Sequence, residues 1–432
     1  MSYRQSVDFL YGLQKHGIKP GLEAVQGLLD RLERPERRYP SLHIAGTNGK
    51  GSTAAMAASM LQAAGYRVGL YTSPHLVDFR ERILVNGSMM TEADMAALTD
   101  RVRAVSGTPR ESTFFEFTTA MAFQHFADSG IDVAVIEVGL GGRFDATNVL
   151  APIVTAITTV AFDHQEHLGT TLAAIAFEKA GIIKPGVPVV VGRVPDEAAD
   201  VLTRVAGERD ATLHRLPGDF QVEGEPSAPF RYNGLNISYN GLTCPLAGRH
   251  QLDNAACALA LLESAANQGL PVSETAVRDG LRTVRWGGRL ETADAHPRLV
   301  LDGAHNPDAA AAVADYVADF RRGRAGSRVL LILGIMRDKD REGILDHLLP
   351  HVDEVIVTQA GGPRATPAQD LASLVTARGR TAHVRPDPAD AMSLARRMAA
   401  PDDLILLTGS LLLVGEAKAI LQGCALSPLG LR

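Results

Sequence analysis

The sequence is poor in cysteine and aromatic residues and has no excess of positive charge. Its 432 residues include three cysteines and one tryptophan, and the formal net charge is −6. Cys244, Cys257 and Cys424 have neither metal-site spacing nor a disulfide framework, so we expect a reducing cytoplasm. The charge argues against a nucleic-acid binder held by bulk electrostatics. The polar first residues and the lack of a long apolar run predict neither a signal peptide nor a membrane span.

The composition is that of a globular chain. Hydrophobic residues make up 46% and charged residues 21%, which excludes a disordered or fibrous protein. The length indicates two or three domains. Glycine is abundant, at 41 residues, and this favours an α/β fold with tight turns between strands and helices.

Short apolar runs alternate with helical patterns along most of the chain, which predicts a mainly parallel, helix-covered sheet. Residues 215–245 differ, because short alternating runs there indicate a small antiparallel sheet. A break falls near Trp286–Pro297, and a second α/β domain is expected after it. The predicted strands are Ser41–Ala45, Val68–Tyr71, Ile131–Val138, Ile153–Val160, Val187–Val191, Leu299–Leu301, Val329–Leu333, Glu354–Thr358 and Leu404–Leu407.

The strongest chemical signal is the glycine-rich run His43–Thr53, set between a predicted strand and a predicted helix. Backbone N–H groups of such a turn, the helix N-terminus and Lys50 can together hold a phosphate. The run departs from G-x-x-x-x-G-K-[ST], because Ile44 replaces the first glycine and Gly51 replaces the hydroxyl residue. A plain glycine turn is the alternative.

The missing hydroxyl means that Mg²⁺ would need oxygen ligands from elsewhere. Glu137 is the best candidate, because it ends the buried apolar run Val133–Glu137, where a carboxylate is costly unless it is paired or metal-bound. A structural ion pair is the alternative.

Other polar residues also follow predicted strands. The run Gly139–Asn148 is not a dinucleotide fingerprint, since Phe144 occupies the third glycine position. His164 directly follows a strand and is a candidate ligand or acid–base group. On the sequence alone, Lys179 and Lys184 are expected to be solvated residues of a helix end.

A set of motifs in fixed order resembles the folylpolyglutamate synthase/dihydrofolate synthase family of ATP-dependent amide ligases, which is related to the Mur ligases. The resemblance covers nearly the whole chain. The motifs that carry it are the phosphate loop, Tyr71–Leu76, Phe79–Ile83, Thr113–Phe117, Glu137–Arg143, Asp163–His164, Glu178–Lys184, His250–Ala256 and Asp302–Pro307.

The resemblance implies an α/β fold with two domains. Residues 1–290 would form an ATP-binding, P-loop-containing domain with a mainly parallel sheet plus a small antiparallel sheet. Residues 291–432 would form a Rossmann-like C-terminal ligase domain.

The resemblance also assigns roles in catalysis and nucleotide binding. Ser73 would supply the hydroxyl missing at Gly51, with Glu137 as its partner on one Mg²⁺, and His164 would hold a second Mg²⁺. Lys179 matches a lysine carried as a carbamate in related ligases, and it joins Lys50 and His164 as a catalytic residue. The ATP-binding residues would be Thr47, Asn48, Gly49, Lys50, Gly51, Ser52, Asn254, Arg289 and Asp302. For Asp302, a helix N-cap is the alternative.

The pteroate portion of the substrate is implied to bind at Thr113, Phe114, Phe115, Glu116, Phe144, Asp145 and Ala146. For Phe114 and Phe115, core packing at the start of a helix is the alternative. Phe144 stands where the family more often has an aliphatic residue. His305 and Ser410 resemble positions linked to glutamate handling.

The function implied is an ATP-dependent ligase that adds L-glutamate to dihydropteroate, to reduced folates, or to both through an acyl phosphate. Its partners would be ATP, L-glutamate, and dihydropteroate or a reduced folate, with no nucleic acid and no membrane, and the protein would be a monomer. A muramyl peptide ligase and a non-catalytic nucleotide-binding regulator are the alternatives.

Overall fold

The computed structural model describes residues 1–13, 17, 21–106, 112–322, 324 and 326–425. Contacts divide the chain into two compact units. The first comprises residues 1–74, 79–245 and 251–285, and the second comprises residues 75–78, 246–250 and the chain from Trp286 onward. Contact units and folding domains need not share a boundary, so the domain boundary after residue 290 stays a prediction.

The first unit is built on an eight-stranded sheet and a three-stranded sheet. Its helices are α1 (Tyr3–Gly12), α2 (Glu23–Arg31), α3 (Lys50–Ala63), α4 (Glu92–Val105), α5 (Phe114–Asp128), α6 (Gln165–Leu168), α7 (Leu172–Ala180), α8 (Asp196–Glu208), α9 (His250–Ala266, apart from its first residue) and α10 (Glu274–Thr283). Its strands are β1 (Ser41–Ala45), β2 (Val68–Tyr71), β3 (Ile83–Val85), β4 (Ser88–Met89), β5 (Val133–Glu137), β6 (Val154–Ile157), β7 (Val189–Val191), β8 (Leu213–Arg215), β9 (Gln221–Glu223), β10 (Phe230–Asn233) and β11 (Ser238–Leu242).

The large sheet has the strand order β4-β3-β2-β5-β1-β6-β7-β8 and is parallel except at β3 and β4. All residues of β1 and β5 are buried, and they are mostly apolar, with Ser41 and His43 in β1 and Glu137 at the end of β5 as the polar exceptions. By the strand register, the sheet residues of two core clusters point to one face, where one cluster packs against α1, α2 and α5 and the other against α7 and α8. Alternate residues such as Leu42, Ile44 and Val135 are buried on the opposite face, and α3 also contacts β1, β2 and β5. Because β1 pairs in parallel with both β5 and β6, the carboxyl ends of these three strands meet at one edge of the sheet. Open α/β sheets bind ligands at this edge.

The second unit contains one six-stranded sheet with the order β12-β13-β17-β14-β15-β16. Its strands are β12 (Glu291–Ala295), β13 (Arg298–Leu301), β14 (Val329–Leu333), β15 (Glu354–Val357), β16 (Ala382–Val384) and β17 (Leu404–Thr408). Its helices are α11 (Pro307–Arg322), α12 (Arg341–Leu348), α13 (Ala368–Ala377), α14 (Pro388–Met398) and α15 (Leu411–Gln422). Only β12 runs antiparallel to its neighbour among these strands.

The expected α/β class is confirmed, and the small antiparallel sheet of β9, β10 and β11 lies within residues 215–245 as predicted. The polar stretch interpreted as a break contains a strand, β12, which pairs with β13 at the edge of the second sheet. Among the described residues, none of the helices has both the length and the apolar character needed to span a bilayer.

Candidate active site

The phosphate loop joins β1 to α3, and two of its glycines are required by their surroundings. Gly46 has φ 151° and Gly49 has φ 86°, and a Cβ at these positions would collide with Thr158 and Asn254. Lys50 opens α3, and its Nζ donates to the carbonyl oxygens of Gly46 and Thr47, both at 3.1 Å. The lysine therefore closes the loop on itself.

Hydroxyl groups after β6 fix the other side of the loop. The Asn48 carbonyl oxygen accepts from Thr158 Oγ1 at 2.6 Å and Thr159 Oγ1 at 3.1 Å, and the Asn48 N–H donates to Thr159 Oγ1 at 2.9 Å. Thr47 Oγ1 accepts from the Ala161 N–H at 3.0 Å. These hydrogen bonds fix the conformation of the loop. The structure brings together, in the first unit, the predicted nucleotide residues Thr47, Asn48, Gly49, Lys50, Gly51, Ser52 and Asn254.

Glu137 ends β5 directly beside the phosphate loop. It lies opposite Ile44 in the β1–β5 register and is only 5% exposed. The Ser73 N–H, just after β2, donates to Glu137 Oε2 at 3.0 Å. The two predicted metal ligands are therefore neighbours. No group of three His, Cys, Asp or Glu side chains in the described part of the chain could hold a metal ion, so a cation here would rely on mixed oxygen ligands.

His164 and Asp163 follow β6 at the same edge of the sheet. His164 has φ 50°, a left-handed conformation that is uncommon outside glycine and often marks a functional constraint. Its N–H donates to Asp163 Oδ1 at 2.9 Å. Asp163 had no role assigned from the sequence, but its negative charge partly opposes the lowering of the Lys179 pKa that burial and Lys50 cause. Its position at a strand end was the available signal.

Lys179 is buried near the end of α7, so the expectation from the sequence alone that it is solvated is wrong. Only 2% of the residue is exposed. Burial lowers the pKa of the Lys179 amine to about 7, and the positive charge of Lys50 adds to this effect. About half of such amines are uncharged, and hence nucleophilic, at neutral pH. Lys184 is half-buried, and its Nζ donates to the Asn148 carbonyl oxygen at 2.9 Å.

The loop Gly139–Asn148 packs directly against the end of α7. A Cβ at Gly142 would lie 2.8 Å from the Glu178 carbonyl oxygen. The Arg143 N–H donates to that same oxygen at 2.8 Å, and the Arg143 guanidinium binds the Glu178 carboxylate through two nitrogens, at 2.6 and 3.3 Å. The loop Gly139–Asn148 and the helix that carries Lys179 are therefore held together by backbone contact and a bidentate ion pair.

The predicted pteroate residues at the start of α5 also have structural roles. Thr113 and Glu116 form a capping box, in which the Thr113 N–H donates to Glu116 Oε2 at 2.6 Å. Phe114 stacks on Tyr11 with 5.5 Å between ring centroids, and Phe115 stacks on Tyr71 at 6.0 Å. Both rings are half-buried against the core. The two rings therefore pack at the start of the helix as the core-packing alternative expects, and their pteroate contact stays a prediction.

Phe144, Asp145 and Ala146 lie on the loop after β5. Phe144 is 46% exposed, and the Arg143 guanidinium stacks on its ring at 4.3 Å. Asp145 is buried and caps the 3₁₀ turn Ala146–Val149. Burial raises the pKa of the Asp145 carboxyl, while hydrogen bonds from Thr147 and from backbone N–H groups oppose that shift.

The second unit holds the remaining predicted residues, and three of them, Arg289, Asp302 and His305, meet at one turn at Gly303. The Arg289 guanidinium lies 2.6 Å from the place a Gly303 Cβ would take, and His305 Nδ1 lies 2.8 Å from the Gly303 carbonyl oxygen. Asp302 accepts from the Leu290 and Ala304 N–H groups, both at 2.8 Å, so it orders this turn and is not the cap of α11. Ser410 caps α15 through the Leu412 N–H at 3.1 Å.

Comparisons with known proteins agree across the chain. Residues 44–262 match the Mur ligase middle domain, and residues 288–411 match the Mur ligase glutamate ligase domain. The dihydrofolate synthase/folylpolyglutamate synthase of Bacillus subtilis is 35% identical over 434 residues, which covers 98% of this chain and 99% of that protein.

Solved structures give the same result. The structure of E. coli FolC in complex with DHPP and ADP has a TM-score of 0.89 at 32% identity and covers 98% of each chain. The bifunctional folylpolyglutamate synthase/dihydrofolate synthase of Yersinia pestis, complexed with AMPPNP and Mn ion, has a TM-score of 0.88 at 33% identity, also over 98% of each chain.

The buried amine of Lys179 makes a testable contribution to stability. Because its pKa is about 7 in the folded chain and near the ordinary 10.5 when unfolded, the unfolded chain binds more protons between these values. We expect wild-type stability in CO₂-free buffer to rise with pH across this window. Lys179→Met should be more stable than wild type below pH 7, by up to about 5 kcal/mol, and lose that advantage above pH 10.

Urea unfolding at several pH values measures this effect. Lys184→Met is the matched control, because Lys184 is less buried and the pH dependence that it removes should be smaller. Equal stability of Lys179→Met and wild type at pH 6 would contradict the burial of a costly amine.

Proposed function

This chain belongs to the Mur ligase family, in its folylpolyglutamate synthase/dihydrofolate synthase group, and from that premise we propose that it joins L-glutamate to dihydropteroate, to reduced folates, or to both. ATP drives the reaction. The observation that carries the proposal is the position of Glu137, buried at the end of β5 and adjacent in the sheet to the strand that leads into the phosphate loop.

The reaction has two steps. The carboxylate of the pteroate or folate attacks the γ-phosphorus of ATP, the bond to the β-phosphate oxygen breaks, and an acyl phosphate and ADP result. The amino group of L-glutamate then attacks the acyl carbon, loses a proton and displaces phosphate, which leaves an amide. Phosphoryl transfer of this kind depends mainly on positioning and on neutralising charge.

The residues of the phosphate loop perform that positioning. Lys50 already lies against the loop carbonyls of Gly46 and Thr47, from which its ammonium can turn to the phosphates of ATP. The N-terminus of α3 adds the positive end of its helix dipole. Because Thr158 and Thr159 fix the loop in advance, little ordering remains to be done when ATP binds.

A divalent cation fits the oxygen ligands beside this loop. Glu137 is a buried carboxylate and Ser73 adjoins it, and hard cations such as Mg²⁺ take carboxylate, hydroxyl and phosphate oxygens. We propose Ser73 and Glu137 as ligands of one Mg²⁺ and His164 as a ligand of a second. When bound, the metal would neutralise charge on the transferred phosphoryl group.

We also propose that Lys179 is carried as a carbamate. A carbamate forms when an uncharged amine attacks CO₂ and loses a proton, so an amine with a pKa of about 7 is suited to it. The modification replaces a buried cation beside Lys50 with an anion, which turns a repulsion into an attraction.

The proposed substrate assignments follow the family resemblance of these residues. Pteroate would bind at Thr113, Phe114, Phe115, Glu116, Phe144, Asp145 and Ala146, ATP would also contact Asn254, Arg289 and Asp302, and glutamate would bind at His305 and Ser410. We further propose that the enzyme acts as a monomer in the cytoplasm, and the small number of cysteines, three in 432 residues without the spacing of a disulfide framework, supports a reducing location.

Assays of ADP release test the proposed function. With Mg²⁺-ATP and L-glutamate, release should depend on dihydropteroate or tetrahydrofolate, and not occur with a muramyl peptide. Lys50→Ala and Glu137→Gln should lower kcat at least about 100-fold, because the first removes a positive charge that would act on the transferred phosphate and the second removes a negatively charged ligand of the proposed Mg²⁺.

The matched control is Glu36→Gln, since Glu36 is another buried carboxylate of the first unit, outside the proposed site. Near-normal turnover in Lys50→Ala or Glu137→Gln would overturn the site assignment. Release that is stimulated only by a muramyl peptide, or by neither acceptor, would instead favour a peptide ligase or a regulator.

Removal of CO₂ tests the carbamate. Activity should fall in CO₂-depleted buffer and return on addition of bicarbonate, and ¹³C-bicarbonate should give a new carbamate signal in the ¹³C spectrum. Lys179→Gln should lack both responses. A wild-type enzyme that keeps full activity without CO₂, and shows no carbamate signal in its presence, would refute the proposal.

A further inference from the structure

His43 is a fully buried histidine at the centre of the first sheet, for which the proposed reaction has no use. It lies on β1, shortly before the phosphate loop. Burial lowers the pKa of its imidazole to about 3, and the nearby charge of Lys184 adds to the shift, so the ring is neutral. Its Nε2 lies 2.8 Å from Thr147 Oγ1, while its Nδ1 has no hydrogen-bond partner among the described residues. An apolar side chain would fill this position without that cost.

Thr147 connects the imidazole to Asp145. Its hydroxyl lies 2.5 Å from Asp145 Oδ1, and its N–H donates to the same oxygen at 3.0 Å. The Leu140 N–H donates to Asp145 Oδ2 at 2.8 Å. The two oxygens are within hydrogen-bond distance, so one proton lies between them, and the Thr147 hydroxyl has only one proton to give. The direction in which the Thr147 hydroxyl donates therefore depends on whether Nε2 of His43 carries a proton.

Two arrangements of the protons are compatible with the hydrogen bonds between His43, Thr147 and Asp145. In the first, the His43 Nε2–H donates to Thr147, the Thr147 hydroxyl donates to an ionised Asp145, and Nδ1 is a bare acceptor. In the second, a protonated Asp145 donates to Thr147, the hydroxyl donates to Nε2, and Nδ1 carries a buried N–H without a partner. Buried N–H groups without an acceptor are rarer than acceptors without a donor. The imidazole thus favours the ionised carboxylate.

We propose that His43 and Thr147 are positioning residues that hold Asp145 as an oriented carboxylate for the N–H edge of the pteroate ring. The inference rests on the proposed function, in which Asp145 binds pteroate. A neutral imidazole suits this role, because it fixes the hydroxyl without adding a charge that would compete with the substrate. Two other titratable groups interact with these residues. The charge of Lys184 helps to lower the pKa of His43, and the pKa of the Tyr71 phenol is raised by burial and, to a smaller extent, by the charge of Asp145.

Substitution of Thr147 tests the chain. Thr147→Val keeps the shape and removes the hydroxyl, so kcat/KM for dihydropteroate should fall about 10- to 100-fold, mainly through KM, since a hydrogen bond to a charged group is lost. The pKa of Asp145 should rise further, which moves the acid limb of the kcat/KM profile to higher pH. Thr147→Ser keeps the hydroxyl and should retain the wild-type KM and pH profile. KM for ATP should not change in either variant.

Direct observation of the ring complements the kinetics. In protein with isotope-labelled histidine, His43 should show the nitrogen shifts of the Nε2–H tautomer, and His43→Gln, which keeps a donor near that place, should bind dihydropteroate better than His43→Leu. An Nδ1–H tautomer, or an unchanged KM and pH profile in a folded Thr147→Val, would overturn the proposal.

Asp145→Asn separates this proposal from the function on which it rests. If Asp145→Asn raises KM for dihydropteroate and a folded Thr147→Val does not, the positioning role alone fails. If Asp145→Asn leaves that KM unchanged, the pteroate assignment of Asp145 fails, and the positioning role fails with it. If both proposals hold, Thr147→Val should add little to the defect of Asp145→Asn.

Discussion

The parallel pairing of β1 with β5 is the contact on which the candidate site depends. Its register sets Glu137 opposite Ile44, near the end of β1. The buried carboxylate therefore lies beside the start of the phosphate loop. The loop after β5 then packs on α7 through Gly142 and the Arg143–Glu178 ion pair, which brings a buried lysine to the same edge. One sheet edge thus gathers a phosphate cradle, a carboxylate and an amine that burial leaves partly uncharged.

Most of the fold could be predicted because its strands are strongly apolar and bounded by glycine. The bounds of β1, β2 and β14 agree with the predicted runs. The strands β3, β4 and β12 could not be predicted in this way, because they are short or polar. Their own residues do not indicate the strands with which they pair. Between β3 and β4 the sequence does carry a local signal, the dipeptide Asn86–Gly87. Both residues have the positive φ that a tight hairpin turn requires.

The site could be predicted only as far as strand ends and motifs extend. Glu137 was identified from its place at the end of a buried run, and resemblance supplied Ser73. The burial of Lys179 could not be foreseen, since it depends on the close approach of Gly142 and Gly181 to neighbouring backbone. The contact of His43 with Thr147 joins residues 104 positions apart, and no local pattern records it. The burial of Lys179 and the His43–Thr147 contact both depend on tertiary packing between segments that are distant in the sequence.

The central claim is that this site transfers a phosphoryl group from ATP to the acceptor's carboxylate. An acceptor labelled with ¹⁸O in both carboxylate oxygens tests it most directly, with mass analysis of the phosphate released during glutamate addition. The account predicts that each phosphate carries one ¹⁸O and that the new amide keeps the other. Unlabelled phosphate, formed together with the amide product, would contradict it.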